Sequence, residues 1–158
     1  MYVEKPGILS SPRCFGSSGS RRSNANNGSV LWSNDLVSAY GASTITWENA
    51  ASPCLDNDLL FVNLNSLTNN QNLAAFRAAD GGLAWSSQNE NVTHTTPVVA
   101  TIQGVRQVIF ATQTGLVSLD RTTGAFLWKF TYPFGQIYTS LPSTAPGTAG
   151  SLSGGQGS

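Results

Sequence analysis

Three tryptophans each stand four residues after a glycine: Gly28 leads to Trp32, Gly81 to Trp85 and Gly124 to Trp128. The surrounding segments, RSNANNGSVLW, AFRAADGGLAW and SLDRTTGAFLW, are three versions of one element. Eight residues before each Trp lies Asn24, Arg77 or Asp120, and the third copy adds Thr123 just before its glycine. Small residues, Ala75 and Ser118, stand ten before Trp85 and Trp128, a place that Arg22 takes in the first copy. A hairpin needs the turn but not a large ring at a set distance beyond it. Recurrence of both means that one supersecondary unit is repeated along the chain.

A second mark keeps the same period. A proline follows a short side chain or Leu at Ser52-Pro53, Thr96-Pro97 and Leu141-Pro142, so the prolines lie 44 and 45 residues apart, while Trp85 and Trp128 lie 43 apart. Periods of ~40–45 residues with strands inside them are those of propeller blades. Trp32 to Trp85 is longer, at 53. The excess falls in VSAYGASTITW (37–47), read as an insertion in a loop joining two blades.

Inside each period the chain reads as strand. SPCL, 59–64, 73–76 and 83–87 fill one unit; 97–102, 106–112, 115–119 and 125–130 fill the next. β-branched and aromatic residues dominate these runs, and Gly, Asn and Asp separate them. No stretch has convincing helical periodicity. The expected fold is all-β: a partial β-propeller of about two complete four-stranded antiparallel blades plus part of one at each end. Residues 53–88 and 97–131 should each form such a sheet, stacked face to face. Residues 1–21 read as an irregular N-terminal segment, 22–142 as the blades, and 143–158 as a Gly/Ser-rich disordered tail.

The turn has a physical rationale. Asp120 can accept backbone N–H groups across Asp-x-x-Thr-Gly, and Gly124 can take positive φ. Trp128 then projects from the fourth strand as a docking surface for a neighbouring sheet. On this reading Trp128 should be largely buried and touch the preceding sheet.

These segments resemble the tryptophan-docking repeat of the pyrroloquinoline-quinone-type β-propellers, Ala-x-Asp/Asn-x-x-Thr-Gly-x-x-x-Trp. The third copy matches at Asp120, Thr123, Gly124 and Trp128, with Ser118 for the first residue; the second matches at Ala75, Gly81 and Trp85, the first at Asn24, Gly28 and Trp32. The resemblance covers residues 22 to 142 and implies that each Trp packs onto a peptide of the next blade. The family contains quinone-dependent alcohol and sugar dehydrogenases and also non-catalytic scaffolds such as the bacterial outer-membrane assembly lipoprotein. Residues 93–130 resemble the second kind more. The resemblance implies a scaffold or protein-interaction surface whose partners are other blades and another protein, in a periplasmic or extracellular setting. The alternatives are a piece of a quinone-dependent dehydrogenase, or an extracytoplasmic sensor domain. Closed rings in this family have seven or eight blades, so the chain reads as a fragment.

Candidate chemistry is sparse. Charged residues are 10% of the chain, with eight acids against eight bases, which gives no electrostatic grip on nucleic acid or an anionic membrane. No apolar run approaches the ~20 residues of a membrane span, and the N-terminus has no signal-peptide pattern. Quinone dehydrogenases often carry adjacent cysteines; Cys14 and Cys54 are far apart, and Cys54 reads as a small buried hydrophobe. Asp56 and Asp58 have the spacing of a Ca²⁺ loop's start but lack its Gly and distal Glu, so they read as an Asx turn. The sole histidine, His94, has no metal-ligand constellation around it in sequence. The Gly pair of DGGLAW opens a strand rather than a helix and makes no phosphate cradle. NVT (91–93) and NGS (27–29) match glycan acceptors, which matter only in a secreted eukaryotic chain. Arg106, Arg121 and Lys129 read as scattered surface charges. No catalytic residue, cofactor or metal is assigned.

Overall fold

The computed structural model describes residues 19–24, 26–43, 51–66 and 71–132. Cys14, Trp47, Pro142 and the 143–158 tail lie outside them. Among the described residues ten strands and one short helix follow in order: β1 (Gly19–Ser23), β2 (Val30–Asp35), α1 (Leu36–Tyr40), β3 (Cys54–Asp56), β4 (Leu59–Asn63), β5 (Leu73–Arg77), β6 (Leu83–Ser87), β7 (Val98–Ile102), β8 (Val105–Thr112), β9 (Gly115–Asp120) and β10 (Phe126–Thr131).

Strands β3 to β6 form one four-stranded sheet in sequence order, β7 to β10 another, and β1 pairs with β2 alone. Every pairing is antiparallel. Such meanders arise because each connection is short enough to return the chain to its neighbour. The β3–β4 link is only Asn57-Asp58 and the β7–β8 link only Gln103-Gly104. Asn57, Gln103 and Gly104 supply the positive φ that these tight returns use. Two four-stranded antiparallel sheets therefore occupy the two spans that the repeat marks out, and the architecture is a partial β-propeller. The β1–β2 hairpin occupies the place of the third and fourth strands of a preceding unit.

The core lies in two layers. One face of the first sheet presents Leu59, Phe61, Leu73, Ala75 and Trp85 to Val108, Phe110, Val117 and Leu119 of the second. Its other face presents Leu60, Ala74 and Phe76, with Leu64, to Leu36 and Ala42 around α1, with Trp32 and Tyr40 packed alongside. Burial on both faces explains why β4 and β5 read as nearly unbroken apolar runs rather than alternating ones. Phe61, Leu73 and Phe76 are completely inaccessible. Each such side chain contributes on the order of 1.5–3 kcal/mol relative to exposure.

Helix α1 departs from the all-strand reading. It occupies part of the supposed insertion and is only five residues long, too short for a periodic signal. The Asp35 carboxylate accepts the N–H groups of Val37 and Ser38, and Gly41 ends the helix in the left-handed region at φ 65°. Tyr40 then meets Phe76 edge-on, with ring centroids 5.2 Å apart.

Candidate functional site

The three repeat segments form hairpins of one geometry. Arg22 pairs with Trp32, Ala75 with Trp85 and Ser118 with Trp128, so the residue ten before each Trp is its cross-strand partner. Each pairing adjoins a bulge. The N–H groups of Asn24, Arg77 and Asp120 each donate to the carbonyl five residues on, at 2.8 Å in all three. Their carbonyls accept the N–H groups of Gly28, Gly81 and Gly124. Those glycines have φ of 72°, 74° and 72°.

Side chains reinforce each turn. Asp120 accepts the N–H groups of Thr122 and Thr123 and the Thr123 hydroxyl. These donors, led by the Thr123 N–H, hold its carboxyl below the usual carboxylate range. Asn24 accepts the Asn26 N–H in the same way. The middle copy has Arg77 there, and Asp80 compensates three residues later: it accepts the Gly82 N–H and pairs with Arg77. Asn27, Asp80 and Thr123 thus share one role, accepting the N–H two residues ahead. Sequence comparison misses this position because an amide, a carboxylate and a hydroxyl all serve as acceptor.

Each turn of the four-stranded units receives the ring of the unit before it. The Trp32 indole N–H donates to the Ala78 carbonyl at 2.9 Å, and the Trp85 indole to the Arg121 carbonyl at 3.1 Å. Ala78 and Arg121 stand at the same place in their turns. The rings lie flush on the turn glycines. A Cβ on Gly81 would come within 2.7 Å of Trp32 ring carbon, and one on Gly124 within 2.6 Å of Trp85. Glycine is required at both positions by this approach as well as by φ. Trp85 is buried, at 8% exposure, and Trp32 half-buried.

Trp128 differs from expectation. It is half-buried, and its indole N–H donates to Gln107 Oε1 of its own sheet at 2.7 Å, not to the preceding sheet. The physical reason is direction: Trp32 and Trp85 both reach forward along the chain. Gln107, where the first sheet has Leu59, also accepts the Ser118 hydroxyl. At the first turn, a Cβ on Gly28 would meet nothing within 4 Å among the described residues.

An ion-pair network crosses the same joint. Arg121 donates to Asp56 at 2.7 Å and to Asp58 at 2.5 Å, and Arg106 also reaches Asp56. Burial opposes ionisation of Asp56, but hydrogen bonds from Arg106 and Arg121 overcome it and hold its carboxyl below the usual range. Asp56 and Asp58 do stand at the β3–β4 turn before a strand, as read, and in addition pair with guanidinium groups; Arg106 and Arg121, read as scattered surface charges, are those partners. Both carboxylates face guanidinium groups, an arrangement unsuited to a Ca²⁺ ion that a bound quinone would need. Among the described residues no group of three or more His, Cys, Asp or Glu side chains could hold a metal ion.

Lys129 is also paired. It donates to Glu90, which accepts the hydroxyls of Thr112 and Thr114 as well. Burial raises the Glu90 pKa, but the bonds from Lys129, Thr114 and Thr112 outweigh it. Glu90 thereby ties the connection between the sheets to the edge of the second. Cys54 packs against the core, and burial, helped by the nearby Asp56 charge, pushes its thiol up to about 11. The prolines mark a further tie, because the Ser52 N–H donates to the Thr96 hydroxyl across the two sheets.

The chain belongs to the outer membrane protein assembly factor BamB family, whose model matches residues 20–141. No curated protein matches it in sequence. Among solved structures it is similar to BamB from Moraxella catarrhalis, at 17% identity and a TM-score of 0.51 over 73% of this chain and 31% of that one. It is also similar to the quinohemoprotein alcohol dehydrogenase from Comamonas testosteroni, at 15% identity and a TM-score of 0.50 over 73% of this chain and 18% of that one. Both likenesses concern the fold, and the chain spans less than a third of either protein.

Proposed function

We propose that this chain is a non-catalytic β-propeller segment that acts as a scaffold and binds other proteins. The observation that carries this reading is the repeated joint. Trp32 with Gly81 and Trp85 with Gly124 lock sheet to sheet, and the carboxylates best suited to chemistry, Asp56 and Asp58, are engaged by Arg121 across that joint. Asn24, Gly28, Ala75, Ser118, Asp120 and Thr123 shape the turns and cross-strand partners that the joint requires, and Trp128 carries the next ring. The meander places the β3–β4, β5–β6, β7–β8 and β9–β10 turns on one rim and the β4–β5 and β8–β9 turns on the other. Rims of this kind offer protein partners a rigid array of turns. The family description, an assembly factor for outer membrane proteins, supports proteins as the partner class.

The reading is tested against the dehydrogenase alternative. Quinone oxidation needs a cation to polarise the quinone and a positioned base. Titration of the chain with the quinone and Ca²⁺, followed by Trp fluorescence and dye reduction with alcohols and sugars, should show neither saturable binding nor turnover. Saturable binding with substrate-dependent dye reduction would overturn the scaffold role.

A further inference from the structure

Asp80 and Gly81 form the one Asp-Gly pair of the chain. In such a pair no side chain on the glycine keeps its nitrogen from the preceding carboxyl, and the two can close into a five-membered imide. Asp80 Oδ1 accepts the Gly82 N–H at 2.8 Å, which curls the carboxyl over the intervening Gly81 nitrogen. Three contacts hold that nitrogen back. Its N–H donates to the Arg77 carbonyl at 2.8 Å, the Gly81 carbonyl accepts the Asn34 side-chain amide, and the Trp32 ring lies flush on the glycine. Arg77 also pairs with the carboxylate at 3.1 Å and favours its ionised form, which does not cyclise. The Asp80 side chain is 60% exposed, so water reaches it. The matching turn of the next sheet has Thr123 before Gly124, with no carboxyl at that place.

We propose that Asp80 is a site of spontaneous isoaspartate formation, gated by the two β2 side chains, Trp32 and Asn34, that clamp Gly81. When the clamp opens and the carboxyl is protonated, the Gly81 nitrogen attacks Asp80 Cγ. The N–H proton and the carboxyl hydroxyl leave together as water. Water then opens the imide at one of its two carbonyls. Attack at Cγ restores aspartate; attack at the main-chain carbonyl leaves the chain running through Cγ, as isoaspartate. No other reactant is consumed, and the mass is unchanged. The product has an extra methylene in the main chain before Gly81, and its free carboxylate stands on Cα. The bond from Asp80 to the Gly82 N–H and the seating of Trp32 on Gly81 both depend on the original backbone path. The modification therefore loosens the contact of the β1–β2 hairpin with the first four-stranded sheet. The second sheet's turn, with Thr123, is inert to it.

The test holds the full 158-residue chain at mildly acidic pH, where part of the carboxyl is protonated, and reads isoaspartate at Asp80 by peptide mapping. Isoaspartate shifts the retention of its peptide and resists an aspartate-specific endoprotease. In native wild type it should form at least about tenfold more slowly than in the same chain unfolded in urea, because reaction waits for the turn to open. Trp32→Ala should bring the native rate towards that of the unfolded chain. Asn34→Ala, which removes one side-chain bond, should raise it by a smaller factor, and it carries the comparison if circular dichroism shows Trp32→Ala to be unfolded. Aged native chain should melt below fresh chain in proportion to the isoaspartate it holds. No isoaspartate at Asp80 in the unfolded chain, equal rates in native and unfolded wild type, or folded variants that react no faster than wild type would overturn the gated site. An unchanged melting midpoint after conversion would overturn the loosening.

Discussion

Gly124→Ala and Gly104→Ala form a matched pair within the second sheet. Both glycines have positive φ, at 72° and 80°, so alanine incurs a similar backbone strain at each, about 1–2 kcal/mol. They differ in what the new methyl meets. At Gly104 it meets nothing within 4 Å, whereas at Gly124 it would lie 2.6 Å from two carbons of the Trp85 ring. The Trp85 ring cannot retreat freely, because it is buried against Phe61 and its N–H is bonded to the Arg121 carbonyl. Forcing a methyl into a packed contact costs about 1–3 kcal/mol. Gly104→Ala should therefore lose only the backbone share, and Gly124→Ala that share plus the clash. Urea unfolding followed by Trp fluorescence and circular dichroism, at concentrations where the chain is monomeric, measures both. Equal midpoint shifts for the two variants would refute the seating of the ring on the glycine.

Four other outcomes are expected. Trp85→Ala should lose about 3–5 kcal/mol in the same assay, as for a buried aromatic, and Trp128→Ala less than about 2, because its ring is only half-buried and is bonded within its own sheet; similar losses would contradict the forward direction of docking. Arg121→Ala should cost about 1–3 kcal/mol, since Asp56 and Arg121 are nearly covered from solvent, with side chains 14% and 13% exposed. Asp56 has a lowered folded pKa, so its contribution is present above the ordinary value of 3.8 and is lost as pH falls from there through the folded value; Asp56→Asn should flatten that acid limb of the stability profile, and an unchanged limb would count against the pairing. In a Cys14→Ser background, Cys54 should alkylate slowly at pH 8 and rapidly once denatured, because its thiol is held up to about 11; rapid labelling of the native chain would show the site to be open.

The repeat was legible because its parts are close in sequence and chemically conspicuous. A glycine at positive φ and a large ring four residues later leave a mark that survives the loss of Asp from the middle copy. Strand positions followed from β-branched and aromatic runs bounded by turn residues, and the two four-stranded sheets fall where the period places them. What lay hidden depends on contacts distant along the chain. Asp56 and Arg121 are 65 residues apart, and nothing local marks either as the partner of the other. Spacing alone did not give the direction of docking, since a ring that reaches forward and one that reaches back leave the same mark; the family resemblance, with each Trp on a peptide of the next blade, did, and Trp32 and Trp85 follow it. Helix α1 escaped notice because one capped turn yields no periodicity, and the shared acceptor at Asn27, Asp80 and Thr123 because three chemistries satisfy one N–H.

The joint between the two four-stranded sheets is tested most directly at the Trp85 indole N–H, which the structure buries and bonds to the Arg121 carbonyl. Hydrogen–deuterium exchange of the indole protons can be followed by NMR in ¹⁵N-labelled chain, with Trp85 assigned from the Trp85→Phe variant. Buried, bonded protons exchange only when the structure opens. The Trp85 proton should exchange far more slowly than an exposed indole and should lose that protection in Gly124→Ala, where the ring can no longer seat. Exchange of the Trp85 proton in the native chain at the rate of a free indole would contradict the account.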